Sequence, residues 1–359
     1  MASGQFGDVL RARHRLDGVI YAVKVTKKAL KPNSRDEKVA LNEVFAHAAI
    51  MKHRHVVRYF NSWVEAGHIY IQNEFCEGGS LERRVERCRE VGERFAEAEL
   101  RKVLVQVGRG LQYLHGKRLV HLDIKPGNIL IAFGEEDALT PPSPRPLSPD
   151  SGAASGDCAP APEPLYGPTP DTVRYKIGDL GHVVSFAEGG ELGAEEGDCR
   201  YMAPEFLGMV PVAGPLLPRA DMFSTGLAVY EAARLLRLPR NSAEGADYPE
   251  LRAGRLPALP HYSVELQALL RALVHPEPAL RPSADRLLSS RILNPSAFKS
   301  KVQLRRELNQ EKKKVRKLLS MWFLVYVHDF SQVEELQLQL RGGTRLVRRG
   351  VCRSTSSIM

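Results

Sequence analysis

Two short stretches of this chain carry side chains that could move a phosphoryl group. In His121-Leu122-Asp123-Ile124-Lys125-Pro126-Gly127-Asn128 a carboxylate, an ammonium and an amide follow one another within a single loop. Asp123 there can orient an acceptor hydroxyl and take its proton, Lys125 can neutralise charge on a γ-phosphoryl group, and Asn128 can hold a magnesium ion. Asp179-Leu180-Gly181 supplies a second metal carboxylate, led in by a short strand over residues 176–178. Phosphate contacts come earlier. In Ser3-Gly4-Gln5-Phe6-Gly7-Asp8-Val9 the glycines Gly4 and Gly7 let backbone amides come close to phosphate oxygens. In Tyr21-Ala22-Val23-Lys24 a strand-like run ends on a lysine for the α- and β-phosphates, with Glu43 on the next helix as its ion-pair partner. Taken singly, the glycines read as a hairpin turn and Lys24 as a solvent-facing strand lysine. Taken in order, they form an ATP-binding set of Gly4, Phe6, Gly7, Val9, Ala22, Lys24 and Glu43 ahead of a catalytic pair, Asp123 and Lys125, and a metal pair, Asn128 and Asp179.

The elements that must position these groups are also legible. Residues 1–75 alternate short β-like runs (18–25 and 68–72) with one helical stretch over 36–51, which predicts a small mixed lobe. Within 76–295, apolar residues recur at helical spacing over 80–115 and 220–290, as in Leu100, Val103, Leu104, Val107, Leu111 and Leu114. That predicts a larger helical lobe. An insert over 134–171 is crowded with proline, poor in large apolar residues and expected to be disordered. Its Thr140-Pro141, Ser143-Pro144, Ser148-Pro149 and Thr169-Pro170 pairs are candidate proline-directed phosphorylation sites. Residues 296–359 form a basic helical tail. The fold class is therefore α+β and bilobal.

This ordered set resembles the protein kinase signature, completed by Ala203-Pro204-Glu205 with Arg281 as the partner of Glu205, and by Asp221 as a brace for the catalytic loop. Two departures stand out. Leu122 occupies the place of an arginine that pairs with a phosphorylated activation loop, so activation-loop phosphorylation is not expected to be needed. Asp198 stands where serine/threonine kinases carry a threonine, and reads either as part of an unusual acceptor site or as a partner of Arg200.

Over residues 1–318 the chain resembles, more narrowly, the Wee family of cyclin-dependent-kinase inhibitory kinases. The match rests on RLDGVIYAVK (15–24), HVVRYF (55–60), QNEFCEGGSL (72–81), QVGRGLQYLH (106–115), KIGDLGHV (176–183) and EEGD (195–198). The resemblance implies that Asn73 is the gatekeeper and that Glu74 to Cys76 form the hinge against adenine. It implies an ATP- and Mg2+-dependent kinase that phosphorylates an inhibitory tyrosine of a cyclin-dependent kinase, held with its cyclin, and so restrains mitotic entry. A monomer resident in the nucleus is expected, without specific nucleic-acid or membrane partners. Two alternatives remain: a catalytically inactive scaffold, and a Myt-type dual-specificity kinase, which Ala203-Pro204-Glu205 resembles. Myt-type relatives carry a membrane span after the kinase domain, and no such run is read here. Ala2 stands at the first loop glycine, so the first strand and the long regulatory region of the family are expected to be missing ahead of Met1, as in a partial gene model. Residues 320–332 do not resemble the family tail and are read as intron-derived, whereas 344–356 resemble it again.

Composition limits the other classes. The net charge of +9 sits largely in residues 299–317 and 341–353, so it describes the tail more than the body. Lys312-Lys313-Lys314-Val315-Arg316-Lys317 reads either as a nuclear import signal or as a solvated helix face. The five cysteines show no paired spacing and are read as reduced thiols of an intracellular protein.

Overall fold

The computed structural model describes residues 2–3, 7–16, 18–27, 29, 35–134, 172–186, 197–207, 214–295 and, in the tail, 302–303, 305–306 and 308–320. The chain divides into two units, Met1–Asn294 and Pro295–Met359. In the second unit, residues 308–320 are helical and exposed. Among the described residues no helix is long and apolar enough to cross a membrane.

The first unit opens with an antiparallel sheet. Its strands are β1 (Ala2–Ser3), β2 (Gly7–Arg13), β3 (Ile20–Thr26), β4 (Tyr59–Glu65) and β5 (His68–Glu74), in the spatial order β1-β2-β3-β5-β4. Helix α1 (Arg35–Ala49) precedes β4. Branched and aromatic residues in Ile20-Tyr21-Ala22-Val23 favour the strand, and the register sets Lys24 opposite both Val9 and Ile71. The sheet begins with a two-residue stub, Ala2 opposite Val9 and Ser3 opposite Asp8. Two residues are too few to show period-two alternation, and backbone pairing needs no side-chain pattern, so the sequence carries no sign of it.

A mostly helical body follows. The periodic run over 80–115 is two helices, α2 (Leu81–Val91) and α3 (Glu97–Gly116). Ser80 caps the start of α2 by accepting the Arg83 amide, and Gly92 ends it in the left-handed region at φ 72°. Leu100, Val103, Leu104, Val107, Leu111 and Leu114 form the fully buried stripe of α3. Short strands β6 (Leu119–Val120), β7 (Ile129–Phe133), β8 (Val173–Ile177) and β9 (Val184–Ser185) pair as β6 with β9 and β7 with β8. The helices α4 (Pro204–Leu207), α5 (Pro218–Arg234), α6 (Asp247–Arg252), α7 (Val264–Leu273) and α8 (Ala284–Leu288) complete the unit. Every residue from Ala220 to Ala233 is buried, so α5 is the central post of this lobe. Gly110 lets α3 approach the strand that leads to Asp179. A Cβ there would lie 2.7 Å from the carbonyl oxygen of His55 and 2.8 Å from Ile177 Cδ1.

Candidate active site

The catalytic loop lies between β6 and β7 and begins with a strained turn. Leu122 adopts φ 62°, a conformation that L side chains rarely take. Asp221, fully buried on α5, braces that turn by accepting the His121 amide at 2.9 Å on Oδ2 and the Leu122 amide at 2.8 Å on Oδ1. The Asp123 amide donates to His121 Nδ1 at 3.2 Å, so the ring proton sits on Nε2 and is donated to the Gly178 carbonyl at 3.1 Å. One imidazole thereby ties the catalytic loop to the residue just before Asp179.

Both oxygens of Asp123 are held. Oδ2 accepts Lys125 Nζ at 2.7 Å and Asn128 Nδ2 at 2.9 Å, while Oδ1 accepts the Asp198 amide at 3.1 Å. Burial works against charge on Lys125, and the Asp123 carboxylate outweighs it, lifting the ammonium above the usual lysine value. Of the two readings of Asp198, the ion pair is present: Arg200 Nη1 reaches its Oδ2 at 2.8 Å. The neighbouring Gly197 has no room for a side chain, because a Cβ there would lie 2.7 Å from the Leu122 carbonyl oxygen.

Above this loop, Lys24 Nζ bridges Glu43 Oε2 at 2.8 Å and Asp179 Oδ1 at 2.7 Å. Burial opposes the charge on Lys24, and the two carboxylates overcome it, holding the ammonium above its ordinary value. Burial likewise opposes ionisation of Asp179, and Lys24 prevails, holding that carboxyl well below the usual carboxylate range. Asp179 is itself strained, at φ 58°. His47, one turn beyond Glu43, is lowered to about 4 by burial and then by Lys24.

Lys24, Glu43, Asp123, Lys125, Asn128, Asp179, Asp198 and Arg200 all face one cavity of ≈ 2340 Å³. Gly7, Val9, Ala22, Asn73, Glu74 and Cys76 line its far end, so every predicted site residue that is described falls on this one surface. Gly4 and Phe6 lie outside the described residues. Burial pushes the Cys76 thiol up to about 12, which makes it an unreactive wall. Asn73 Oδ1 is buried without a partner, a polar atom suited to a nitrogenous ligand. Asn128 and Asp179 are an amide and a carboxylate, and no cluster of three or more His, Cys, Asp or Glu side chains that could hold a metal occurs among the described residues. That sparse oxygen set fits magnesium, which takes one or two protein carboxylates and completes its shell with phosphate oxygens and water.

Sequence reasoning missed Lys176. It is buried on β8 and pairs with Glu74 at the end of β5 at 2.7 Å, tying that end of the cleft to the strand just ahead of Asp179. No local pattern signals this pair, because its partners lie on strands far apart in the chain.

Residues 1–293 match the family model of the protein kinase domain. The chain is similar to the Wee1-like protein kinase 2 of Danio rerio, 43% identical over 318 residues, which cover 86% of this chain and 53% of that protein. It is similar to the Wee1-like protein kinase of Drosophila melanogaster, 42% identical over 313 residues (87% and 48%), and to the Wee1-like protein kinase 2 of Ailuropoda melanoleuca, 39% identical over 328 residues (89% and 54%). The chain spans about half the length of the curated relatives it matches.

Proposed function

The chain belongs to the protein kinase family, and from that premise we propose that it is a Wee1-like kinase that transfers the ATP γ-phosphate to a tyrosine of a cyclin-dependent kinase, restraining mitotic entry. The observation that carries the catalytic part is the preassembled site: Lys24 joined to both Glu43 and Asp179, and Asp123 held by Lys125, Asn128 and the Asp198 amide. A binding scaffold has no physical need to hold two metal donors and a base in register, so the inactive reading gives way.

Asn128 and Asp179 would hold magnesium, which when bound with ATP neutralises charge on the phosphate oxygens. Val9, Ala22 and Cys76 enclose the adenine, and the backbone of Glu74 to Cys76 supplies its hydrogen bonds. Lys24, fixed by Glu43, takes the α- and β-phosphates. Asp123 orients the acceptor hydroxyl and receives its proton, while Lys125 sits beside it as a fixed positive charge on the transferring group.

Tyrosine as the acceptor rests on the Wee-type segments, since the loop Lys125-Pro126 taken alone has a serine/threonine-kinase character. Phosphoamino-acid analysis of a cyclin-dependent kinase treated with the full chain is expected to give phosphotyrosine. A product dominated by phosphothreonine would overturn that assignment in favour of a Myt-type activity.

Nuclear residence belongs to the same proposal. Lys312, Lys313, Lys314, Arg316 and Lys317 are exposed on the helical stretch 308–320, with Lys314 paired to Glu311 at 2.7 Å. A fluorescently tagged full chain is expected to lose nuclear enrichment when these five residues become alanine. An unchanged nuclear-to-cytoplasmic ratio would leave the run as a solvated helix face.

A further inference from the structure

The cleft continues past the nucleotide end along α2, where Arg83, Arg87 and Val91 line it, together with Glu93 and, from the segment after α5, Arg240. In the inner cleft the charges cancel in pairs, Lys24 with Glu43 and Asp179, Lys125 with Asp123, and Arg200 with Asp198. On the α2 side, Arg84 faces Glu99 at 3.8 Å and Glu82 is taken by Arg237 at 3.0 Å. This pairing leaves Arg83, Arg87 and Arg240 exposed, their guanidinium groups without an acidic partner among the described residues. Of the carboxylates that line the cleft, Glu77 and Glu93 are the ones left outside these pairs and that of Lys176 with Glu74, and Glu77 already accepts the Phe133 amide. Arg240 uses only its backbone amide, on Glu244 at 2.8 Å.

The positions of these arginines are suited to a peptide. Arg83 and Arg87 are four apart on one helix, so their side chains start about 5–6 Å from each other on the same face. Alternate side chains of an extended peptide are spaced by roughly 6.5–7 Å. The start of α2 also abuts the catalytic loop: a Cβ on Gly127 would lie 3.1 Å from Glu82 Oε2, next to Arg83 in sequence. A planar guanidinium matches a carboxylate in geometry as well as charge.

We propose that Arg83, Arg87 and Arg240 form a docking strip for acidic residues flanking the acceptor tyrosine of the protein substrate. The inference rests on the kinase reading above and adds a substrate preference to it. Because all three side chains are exposed, charge reversal should leave the core intact.

The test uses two fluorescein-labelled peptides, each with one tyrosine, flanked in one by glutamates and in the other by glutamines. Anisotropy is measured on the full chain, its Arg83→Glu/Arg87→Glu variant and its Arg240→Glu variant. The glutamate peptide is expected to bind about 10-fold more tightly than the glutamine peptide, since exposed charge pairs are individually weak and add modestly. That advantage should shrink in Arg240→Glu, vanish in the double reversal and fade as salt is raised. Alanine at Lys312, Lys313, Lys314, Arg316 and Lys317 should leave it in place. Equal binding of the two peptides, an advantage that survives charge reversal, or an advantage lost with the tail lysines would each overturn the strip. Phosphorylation of the same peptides is read separately. A glutamate peptide that binds through the strip yet gains no phosphotyrosine would reject the tyrosine reading while leaving the docking strip standing.

Discussion

Asp123→Asn is expected to lower kcat by about 10²- to 10⁴-fold, the span that removal of a positioned general base produces, while KM for ATP stays within about twofold. The nucleotide cradle of Val9, Ala22, Lys24 and Cys76 does not touch this carboxylate, so ground-state binding should survive. The geometry also shows why no neutral replacement is innocent. Asp123 Oδ2 faces two donors, Lys125 Nζ and Asn128 Nδ2, and Oδ1 faces a third, the Asp198 amide. An asparagine must turn its NH2 toward one of these groups, donor against donor. With the amide flipped to keep Lys125 and Asn128, the contact to Asp198 is lost and the segment over Gly197 loosens. The assay is steady-state transfer together with ATP-Mg binding by calorimetry. A variant that retains transfer within about threefold of wild type would remove Asp123 from the reaction.

What could be read in advance follows a physical division. Asp123, Lys125 and Asn128 were legible because one loop carries them at fixed local offsets, and a loop that closes on itself through Asn128 Nδ2 to the Asp123 carbonyl at 2.9 Å tolerates no other spacing. The stripe of α3 was legible because burial on one side imposes a helical period on apolar residues. Pairs remote in sequence were legible only where a motif names them, as with Lys24 and Glu43 or Glu205 and Arg281. Lys176 and Glu74 stand 102 residues apart with no local pattern linking them, and their ion pair emerges only when β8 is brought to the end of β5. The break between α2 and α3 was passed over because apolar periodicity continues across it. Gly92, as a left-handed cap, was the informative residue there. The two readings of Asp198 could not be separated in sequence, since the Arg200 pair depends on how the turn at Tyr201 folds back, with the Tyr201 amide donating to the Asp198 carbonyl at 2.9 Å.

Arg281→Met is expected to destabilise the kinase unit by about 3–5 kcal/mol, the cost of leaving one partner of a buried ion pair uncompensated. Arg281 is fully buried, and its guanidinium grips Glu205 with two bonds, Nη1 to Oε1 at 2.6 Å and Nη2 to Oε2 at 2.7 Å. Its other donations go to main-chain carbonyls, from Nε to His275 at 2.6 Å, from Nη2 to Pro276 at 2.9 Å and from Nη1 to Arg219 at 3.2 Å. The guanidinium carbon also stacks 4.8 Å from the centre of the Phe223 ring on α5. Methionine fills much of the volume, but leaves the Glu205 carboxylate without a counter-charge and three carbonyls without their donor. Glu205 lies in the first turn of α4, just beyond Tyr201, whose carbonyl accepts the Ser224 hydroxyl at 2.9 Å. Loosening Glu205 therefore frees the same short segment whose Asp198 amide holds Asp123, so transfer should fall along with stability. Because partners in contact do not act additively, Arg281→Met combined with Glu205→Gln should cost less than the sum of the two single changes. Urea unfolding of the four proteins measures this directly. A loss below about 1 kcal/mol in Arg281→Met, or strict additivity in the double variant, would show that the pair does not anchor this segment.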